Sequence, residues 1–303
     1  MMKTITAFSA MIVACVAAFG QVSVDNSSGV VTSSPGDSVY NPTVSQLGGG
    51  AIEYKDLRPD LSLSLLSVSA AVGYESQYMF RAEKRAEHSI QPKVEFAYPL
   101  YGFDVYVGAW ANTPINGDKG GLTEIDLYGG VNYYYQSLRF DVGYIFYYYP
   151  TVDTPATVSR DMEVYTGVTW DTAPYLSNIN LNPSIYYFYN WVLDQQVVET
   201  SIGYNTPVGE WFIDDSRVTF PVRVYGGYLS AGKKNGDSSQ GATYFYWGVS
   251  GDIAIAVTKY CTISGGMRFS MRQGGNEGAP TNGYDIMGRA DNIWFGGKVD
   301  FGF

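Results

Sequence analysis

Residues 292–303 read NIWFGGKVDFGF, and apolar and polar side chains alternate along them. The odd positions carry the large apolar side chains, which are Ile293, Phe295, Val299, Phe301 and Phe303. The even positions include Asn292, Lys298 and Asp300. Because successive side chains of a strand point to opposite faces, this pattern predicts a strand with one apolar and one polar face.

The same alternation recurs along the chain from Leu65 onward. It predicts an all-β chain of about twelve strands, the length and period being typical of membrane-spanning strands. We place them at residues 65–80, 90–98, 103–111, 123–135, 138–149, 161–171, 179–189, 195–205, 217–229, 243–257, 260–272 and 291–303. Soluble sandwiches alternate in the same way, so alternation by itself does not separate a sandwich from a membrane barrel.

The connections between these segments alternate between short and long. Short links occur at 99–102, 136–137 and 258–259, whereas long polar links occur at 81–89, 112–122, 230–242 and 273–290. The links after the sixth and eighth segments are intermediate in length and fit the alternation less well. Outer-membrane barrels have short periplasmic turns, long external loops and an even strand number. We therefore predict an antiparallel transmembrane β-barrel at 65–303 whose long links face outside.

Barrel closure explains why the last predicted strand continues to Phe303. In hydrocarbon every backbone polar group needs a partner, so the last strand must pair with the first. Phe303 would then lie at the periplasmic interface, where aromatic side chains collect.

Composition agrees with a large boundary between apolar and polar surroundings. The chain of 303 residues contains 27 Tyr, 15 Phe and 6 Trp, and its mean hydropathy is −0.09. Tyrosine suits such a boundary because its ring can be buried while its hydroxyl needs a polar partner. The net charge of −10 argues against nucleic acid as a partner.

The N-terminal segment predicts export. Lys3 precedes an uncharged apolar run, and Ala18-Phe19-Gly20 places small residues where a signal peptidase cleaves. We assign residues 1–20 to a signal peptide and 21–64 to a low-complexity periplasmic extension. A lipoprotein-type box ending at Cys15 is the alternative for the cleavage site. Cleavage after residue 20 leaves Cys261 as the remaining cysteine, so we expect neither an intrachain disulfide nor a zinc site.

Four stretches resemble a known family. They are VGYESQYMFRAEKRAE (72–87), EIDLYGGVNY (124–133), FDVGYIFYYYP (140–150) and EVYTGVTW (163–170), and they are similar to the TorF-type family of outer-membrane porins. The resemblance implies passive transport across the outer membrane of a Gram-negative bacterium, and it transfers no binding residues. Family members usually carry Arg-Gly after the first Tyr-x-Phe, where this chain has Arg81-Ala82. The terminal Phe resembles the signal that barrel-assembly machinery reads in outer-membrane proteins.

If the apolar parity faces lipid, charged side chains line the interior. The predicted pore-lining residues are Glu95, Asp104, Glu124, Asp126, Asp141, Asp161, Glu163, Glu199, Arg217, Arg223, Arg268, Arg272 and Lys298. Acids crowd the first eight segments and bases the last four. An Arg or Lys facing mid-bilayer lipid would cost about 2–4 kcal/mol, which supports this parity. The sequence leaves open whether the two sets line a pore or form ion pairs that fill it.

Catalytic chemistry finds little support. The chain has a single histidine, His88, in a charged link where we expect it to be solvated. The carboxylate pairs Glu124/Asp126 and Asp161/Glu163 could serve glycoside chemistry or bind a cation, but we expect them to be solvated. We predict no catalytic residue, metal or cofactor. The predicted function is a narrow channel for small hydrophilic solutes or ions, weakly cation-preferring, embedded in outer-membrane lipid. The alternatives are a structural or loop-binding barrel without conductance and a barrel enzyme.

Overall fold

The computed structural model describes residues 65–115, 121, 123–150, 160–177, 179–213, 215–232, 243–274 and 291–303. In this part of the chain twelve antiparallel strands form one closed barrel, each paired with its neighbours in sequence. The strands are β1 Ser67–Phe80, β2 Glu83–Leu100, β3 Phe103–Pro114, β4 Glu124–Tyr135, β5 Leu138–Tyr148, β6 Arg160–Trp170, β7 Ser184–Asn190, β8 Gln195–Thr206, β9 Val218–Ala231, β10 Thr243–Thr258, β11 Cys261–Gly274 and β12 Asp291–Gly302. The predicted fold class is confirmed.

The barrel closes between its first and last strands. The β1–β12 register runs from Ser69 opposite Gly302 to Glu75 opposite Gly296. Beyond it, the Val68 amide donates to the Phe303 carbonyl at 3.0 Å, and the Phe303 amide donates to the Val68 carbonyl at 2.9 Å. The alternation at 292–303 therefore belongs to the strand that completes the sheet.

The connections after β2, β4, β6, β8 and β10 lie at the same end of the barrel. They are the turns at 101–102, 136–137 and 259–260, together with the longer links 171–183 and 207–217. The last of these contains a short helix, α1 Val208–Phe212. Neither intermediate link is a tight hairpin, as the sequence indicated. None of the helices in the described part of the chain has the length and hydropathy to cross a membrane.

Several sequence predictions concern residues outside the described ranges. These are the signal peptide at 1–20 with Cys15, the extension at 21–64, and most of the long links at 112–122, 230–242 and 273–290.

The outer face of the barrel is apolar all the way round. Val107, Val142 and Met267 each leave more than half of their surface exposed. The inward positions of the same strands are buried and largely polar or aromatic. This arrangement inverts that of a soluble protein, which places its charged face in water, and it is the arrangement that hydrocarbon requires.

Inward tyrosines lie flat against glycines of the adjacent strand. A β-carbon added at each of these glycines would overlap a tyrosine ring, so the ring covers the space that a side chain would fill. The pairs are Gly108–Tyr128, Gly130–Tyr106, Gly143–Tyr165, Gly167–Tyr186, Gly227–Tyr246 and Gly248–Tyr225. Glycine inside a strand often marks such a close approach. Much of the tyrosine surplus is therefore used to pack the inner wall.

Candidate functional site

Residues 76–88 leave the barrel wall and fold into the lumen; we call them the inner hairpin. The pairing of β1 with β12 ends at Glu75, and the ladder between β2 and β3 begins at Ser89. Between these points the two arms pair with each other, with a register shift at Tyr78/Met79, and Ala86 makes an isolated bridge to Gly121. The hairpin is thus attached to the wall at its base.

The tip of the inner hairpin is a two-residue turn. Arg81 and Ala82 have φ of 50° and 59°, between Phe80 and Glu83. Positive φ at both central residues is typical of type I′ turns, where glycine is favoured because it lacks a β-carbon. Ala82 therefore adopts a conformation that favours glycine.

The predicted external loop at 81–89 is wrong for most of its length. Residues 81–86 are almost completely buried, although four of them are charged. Their charge suggested a solvated loop because charged side chains usually face water. A closed barrel reverses that inference, since its interior is lined by partners of opposite charge.

The side chain of Arg81 reaches the opposite wall. Its Nη1 donates to Glu163 Oε2 at 3.0 Å, and its Nη2 donates to Glu163 Oε1 at 2.8 Å. Nη1 also donates to Gln195 Oε1 at 3.2 Å. These partners lie on β6 and β8, five strands from β1 in either direction around the barrel. The inner hairpin therefore spans the lumen.

Aromatic side chains complete the surroundings of this guanidinium. Its Cζ lies 5.0 Å from the ring centre of Phe188 on β7 and 4.7 Å from that of Phe80. Tyr147 on β5 donates its hydroxyl to Glu163 Oε1 at 3.1 Å, which orients the carboxylate. Tyr244 on β10 donates to the Arg81 carbonyl at 3.2 Å, so the turn is held through its backbone as well.

A second ion pair holds the other arm of the inner hairpin. Arg272 Nη1 on β11 lies 3.7 Å from Glu83 Oε1, while Arg85 Nη2 lies 2.8 Å from Glu83 Oε2. Contacts therefore attach the hairpin to β6, β7, β8, β10 and β11. Of the ion pairs of the hairpin described here, the Arg81–Glu163 pair is bidentate, and bidentate Arg–carboxylate pairs are among the strong charge-assisted hydrogen bonds.

Tyrosine hydroxyls bind four carboxylates of the acidic half of the wall. Each of the four accepts from a tyrosine of another strand, which gives it a hydrogen-bond donor in a buried setting. The pairs are Tyr78–Glu124 at 3.0 Å, Tyr128–Glu95 at 2.8 Å, Tyr106–Asp141 at 2.7 Å and Tyr246–Glu199 at 2.6 Å. Tyr106 and Tyr165 also share a hydrogen bond.

The bases of the later strands are paired with acids. Arg268 Nη1 lies 2.9 Å from Asp252 Oδ1, and Arg268 Nε lies 3.2 Å from Glu75 Oε1. Lys298 Nζ lies 3.2 Å from Asp300 Oδ1. The Arg268–Glu75 pair joins the acidic set to the basic set, whereas Arg268–Asp252 and Lys298–Asp300 lie within the last four strands.

The structure places the predicted pore-lining residues on the inner face, with one exception. These inner-face residues are Glu95, Asp104, Glu124, Asp126, Asp141, Asp161, Glu163, Glu199, Arg223, Arg268, Arg272 and Lys298. Arg217 instead lies exposed in the link before β9. Its guanidinium donates to both Asp215 oxygens at 2.9 and 2.7 Å and lowers the pKa of that carboxyl to about 2.

Sequence reasoning missed Arg81, Gln195 and Phe188 as members of the interior site. Arg81 was assigned to an external loop, and an amide or a phenyl ring on an inward position carries no charge signal. Arg139 of β5 was missed too, although it lies two residues before Asp141 and therefore at an inward position of the alternation. Its Nη2 donates to the Tyr186 hydroxyl at 3.3 Å.

The catalytic candidates make no constellation with His88 in the structure. His88 Nδ1 lies 2.8 Å from the Tyr74 hydroxyl at the base of the inner hairpin. Within the described residues, no group of three or more His, Cys, Asp or Glu is arranged to hold a metal ion.

A family model matches residues 62–216, just over half of the chain. Its description reads "Bacterial protein of unknown function (Gcw_chp)". The chain belongs to this family. The Gcw_chp match covers the four stretches that resemble TorF-type porins, as well as the inner hairpin and both of the Arg81 partners on β6 and β8. No curated protein matches the chain.

Solved structures similar to this Gcw_chp chain include outer-membrane proteins. A KdgM porin is 8% identical over 78% of this chain and 99% of its own, with a TM-score of 0.43. A NanC porin is 12% identical over 77% and 98%, with a TM-score of 0.42. The COG4313 outer membrane channel from Pseudomonas putida F1 is 9% identical over 82% and 100%, with a TM-score of 0.45.

Proposed function

We propose that this Gcw_chp protein is an outer-membrane channel through which small hydrophilic solutes or ions diffuse, with a weak preference for cations. The observation that carries the proposal is the inverted barrel, apolar outside and charged inside. A closed barrel with this distribution satisfies its backbone and places its charges away from lipid. The proposal includes the TorF-type relationship, the signal peptide at 1–20 and insertion into Gram-negative outer membrane by barrel-assembly machinery.

The charged inner wall supports a path for polar solutes. Twelve strands exceed the about eight whose side chains alone fill a barrel, and they fall below the 16–18 of wide porins. In this barrel the inner hairpin occupies the additional width. We infer that the barrel is closed to solutes in this conformation and that conduction requires the inner hairpin to leave the lumen.

The alternative function is a barrel without conductance. The buried ion pairs of Arg268 and the hydrogen bonds of the inner hairpin favour it, because they give the interior the properties of a packed core. Conductance separates the two functions directly, since a permanently filled barrel passes no ions.

The proposed cation preference predicts the sign of the reversal potential and the effect of a substitution on it. Acids outnumber bases on the inner wall, so the summed field enriches cations. In a salt gradient the wild-type reversal potential should have the sign of cation selectivity. Arg223→Gln should increase it, because Arg223 lies buried on the inner face of β9.

The matched control is Arg217→Gln, which removes the same charge from an exposed link and should leave the reversal potential unchanged. An anion-selective wild type, or equal effects of the two substitutions, would contradict the selectivity. Absence of current from folded protein would support the alternative function.

A further inference from the structure

We propose that the lumen contains a binding site for the guanidinium group of a small solute, and that Arg81 fills this site while the inner hairpin lies in the lumen. The inference deepens the proposed function, on which it rests, by naming a class of solute.

The wall groups match the chemistry of a guanidinium. Glu163 presents both carboxylate oxygens to the two terminal nitrogens at 2.8 and 3.0 Å, in the fork geometry that guanidinium and carboxylate share. Gln195 supplies a third acceptor at 3.2 Å, and Phe188 supplies a ring face at 5.0 Å. An ammonium would satisfy the charge of Glu163 but not this planar fork.

The recognition groups belong to the wall rather than to the hairpin. Tyr147, Glu163, Phe188 and Gln195 lie on four consecutive strands, β5 to β8, which pair continuously with one another. Tyr147, which is also a wall residue, donates its hydroxyl to Glu163 and keeps the carboxylate oriented. Departure of the inner hairpin would therefore remove Arg81 and leave the acceptors in place.

The site has space beside the guanidinium. A cavity of about 10 Å³ lies against Arg81 and Glu163, and it is also lined by Tyr149, Asp161 and Asn190. This is room for about one water molecule. The cavity places polar groups next to the site, where the remainder of a guanidinium-bearing solute would meet them.

Occupancy by Arg81 makes the solute and the inner hairpin competitors. Because Arg81 is tethered to the barrel, it occupies the site at a high effective concentration. A free solute that makes the same contacts can therefore bind only after the hairpin has left the lumen. A guanidinium-bearing solute that binds the vacated site would stabilise the open barrel.

The test is calorimetric titration of methylguanidinium into folded, detergent-solubilised protein. Arg81→Ala should bind it at least about tenfold more tightly than wild type, because the tethered competitor is gone. Arg81→Ala/Glu163→Gln should lose this binding. Tetramethylammonium carries the charge without N–H donors and should not bind Arg81→Ala.

Equal affinity of wild type and Arg81→Ala, or binding that survives Glu163→Gln, would overturn the site. If Arg81→Ala fails to refold, Arg81→Lys takes its place, since its ammonium cannot reproduce the fork and should yield to methylguanidinium. The readout needs no conductance. A barrel that binds methylguanidinium without conducting would therefore contradict the channel and keep the site, whereas one that conducts without binding would do the reverse.

Discussion

Replacing Arg81 with alanine should raise the permeability of the barrel to small solutes by at least about tenfold, measured as the swelling rate of proteoliposomes. The substitution removes the side chain that joins the tip of the inner hairpin to Glu163 and Gln195. Breaking a buried ion pair from one side costs about 3–5 kcal/mol, because the remaining charge stays buried without its partner. In the open barrel water would reach Glu163, so this cost falls on the closed conformation.

The size of the effect follows from the population of closed hairpins. Each shift of about 1.4 kcal/mol changes an equilibrium tenfold. A tenfold rise in permeability therefore requires only part of the free energy that the Arg81 ion pair contributes to the closed conformation. The contacts of Arg272 and Tyr244 with the hairpin remain in the variant.

The control for this prediction is Arg217→Ala, which removes an exposed guanidinium and should leave the swelling rate unchanged. Equal swelling of Arg81→Ala and wild type, with both proteins folded, would show that the inner hairpin does not close the path.

The second large effect concerns folding: Gly143→Ala should destabilise the barrel by about 2–3 kcal/mol, the upper part of the range for overpacking. A β-carbon at Gly143 would overlap the Tyr165 ring and would lie 2.8 Å from the Gly129 carbonyl oxygen. Rotation of the tyrosine would relieve the first contact and lose its hydrogen bond with Tyr106, whereas the second is with backbone. The measurement is the urea midpoint of refolded protein.

Gly73→Ala is the matched substitution on the same inner wall. Its β-carbon would meet nothing closer than 3.7 Å, so its urea midpoint should stay near that of wild type. Similar losses at the two positions would mean that strand propensity, rather than the Gly143–Tyr165 contact, controls the response.

Alternation along the chain predicted twelve strands and, apart from Arg217, the inward side of the charged residues assigned to the lumen. The pleat gives each strand two faces, and only one assignment keeps residues such as Arg223 and Arg268 out of lipid.

Strand ends were less predictable. β7 begins at Ser184, whereas the alternation extended it to residue 179, because Asn182 has a positive φ of 42° and interrupts the strand. The Leu181 carbonyl still accepts from the Gly203 amide of β8 at 2.8 Å.

The inner hairpin could not be predicted from local pattern. Two consecutive positive φ values at Arg81 and Ala82 have no signal in an Arg-Ala pair, and the charges around them read as a solvated loop. Their partners, Glu163 and Gln195, are distant in sequence and meet Arg81 only after the barrel has closed. Long-range pairing of this kind depends on the closed sheet.

The inner hairpin explains the uneven distribution of charge around the inner wall. The sequence put acids on the first eight predicted segments and bases on the last four. Arg81 and Arg85 bring positive charge into the acidic half, where Arg81 is paired with Glu163. The segregation therefore suits a wall that holds a cationic hairpin.

Single-channel recording in planar bilayers tests most directly that this barrel is a channel closed by its inner hairpin. We expect brief, infrequent openings of wild type, long openings of Arg81→Ala, and the shortest openings of Ala82→Gly, because glycine at φ 59° relieves strain of about 1 kcal/mol in the turn. Folded protein that gives no current steps in any of the three forms, or the same open time in all of them, would contradict the account.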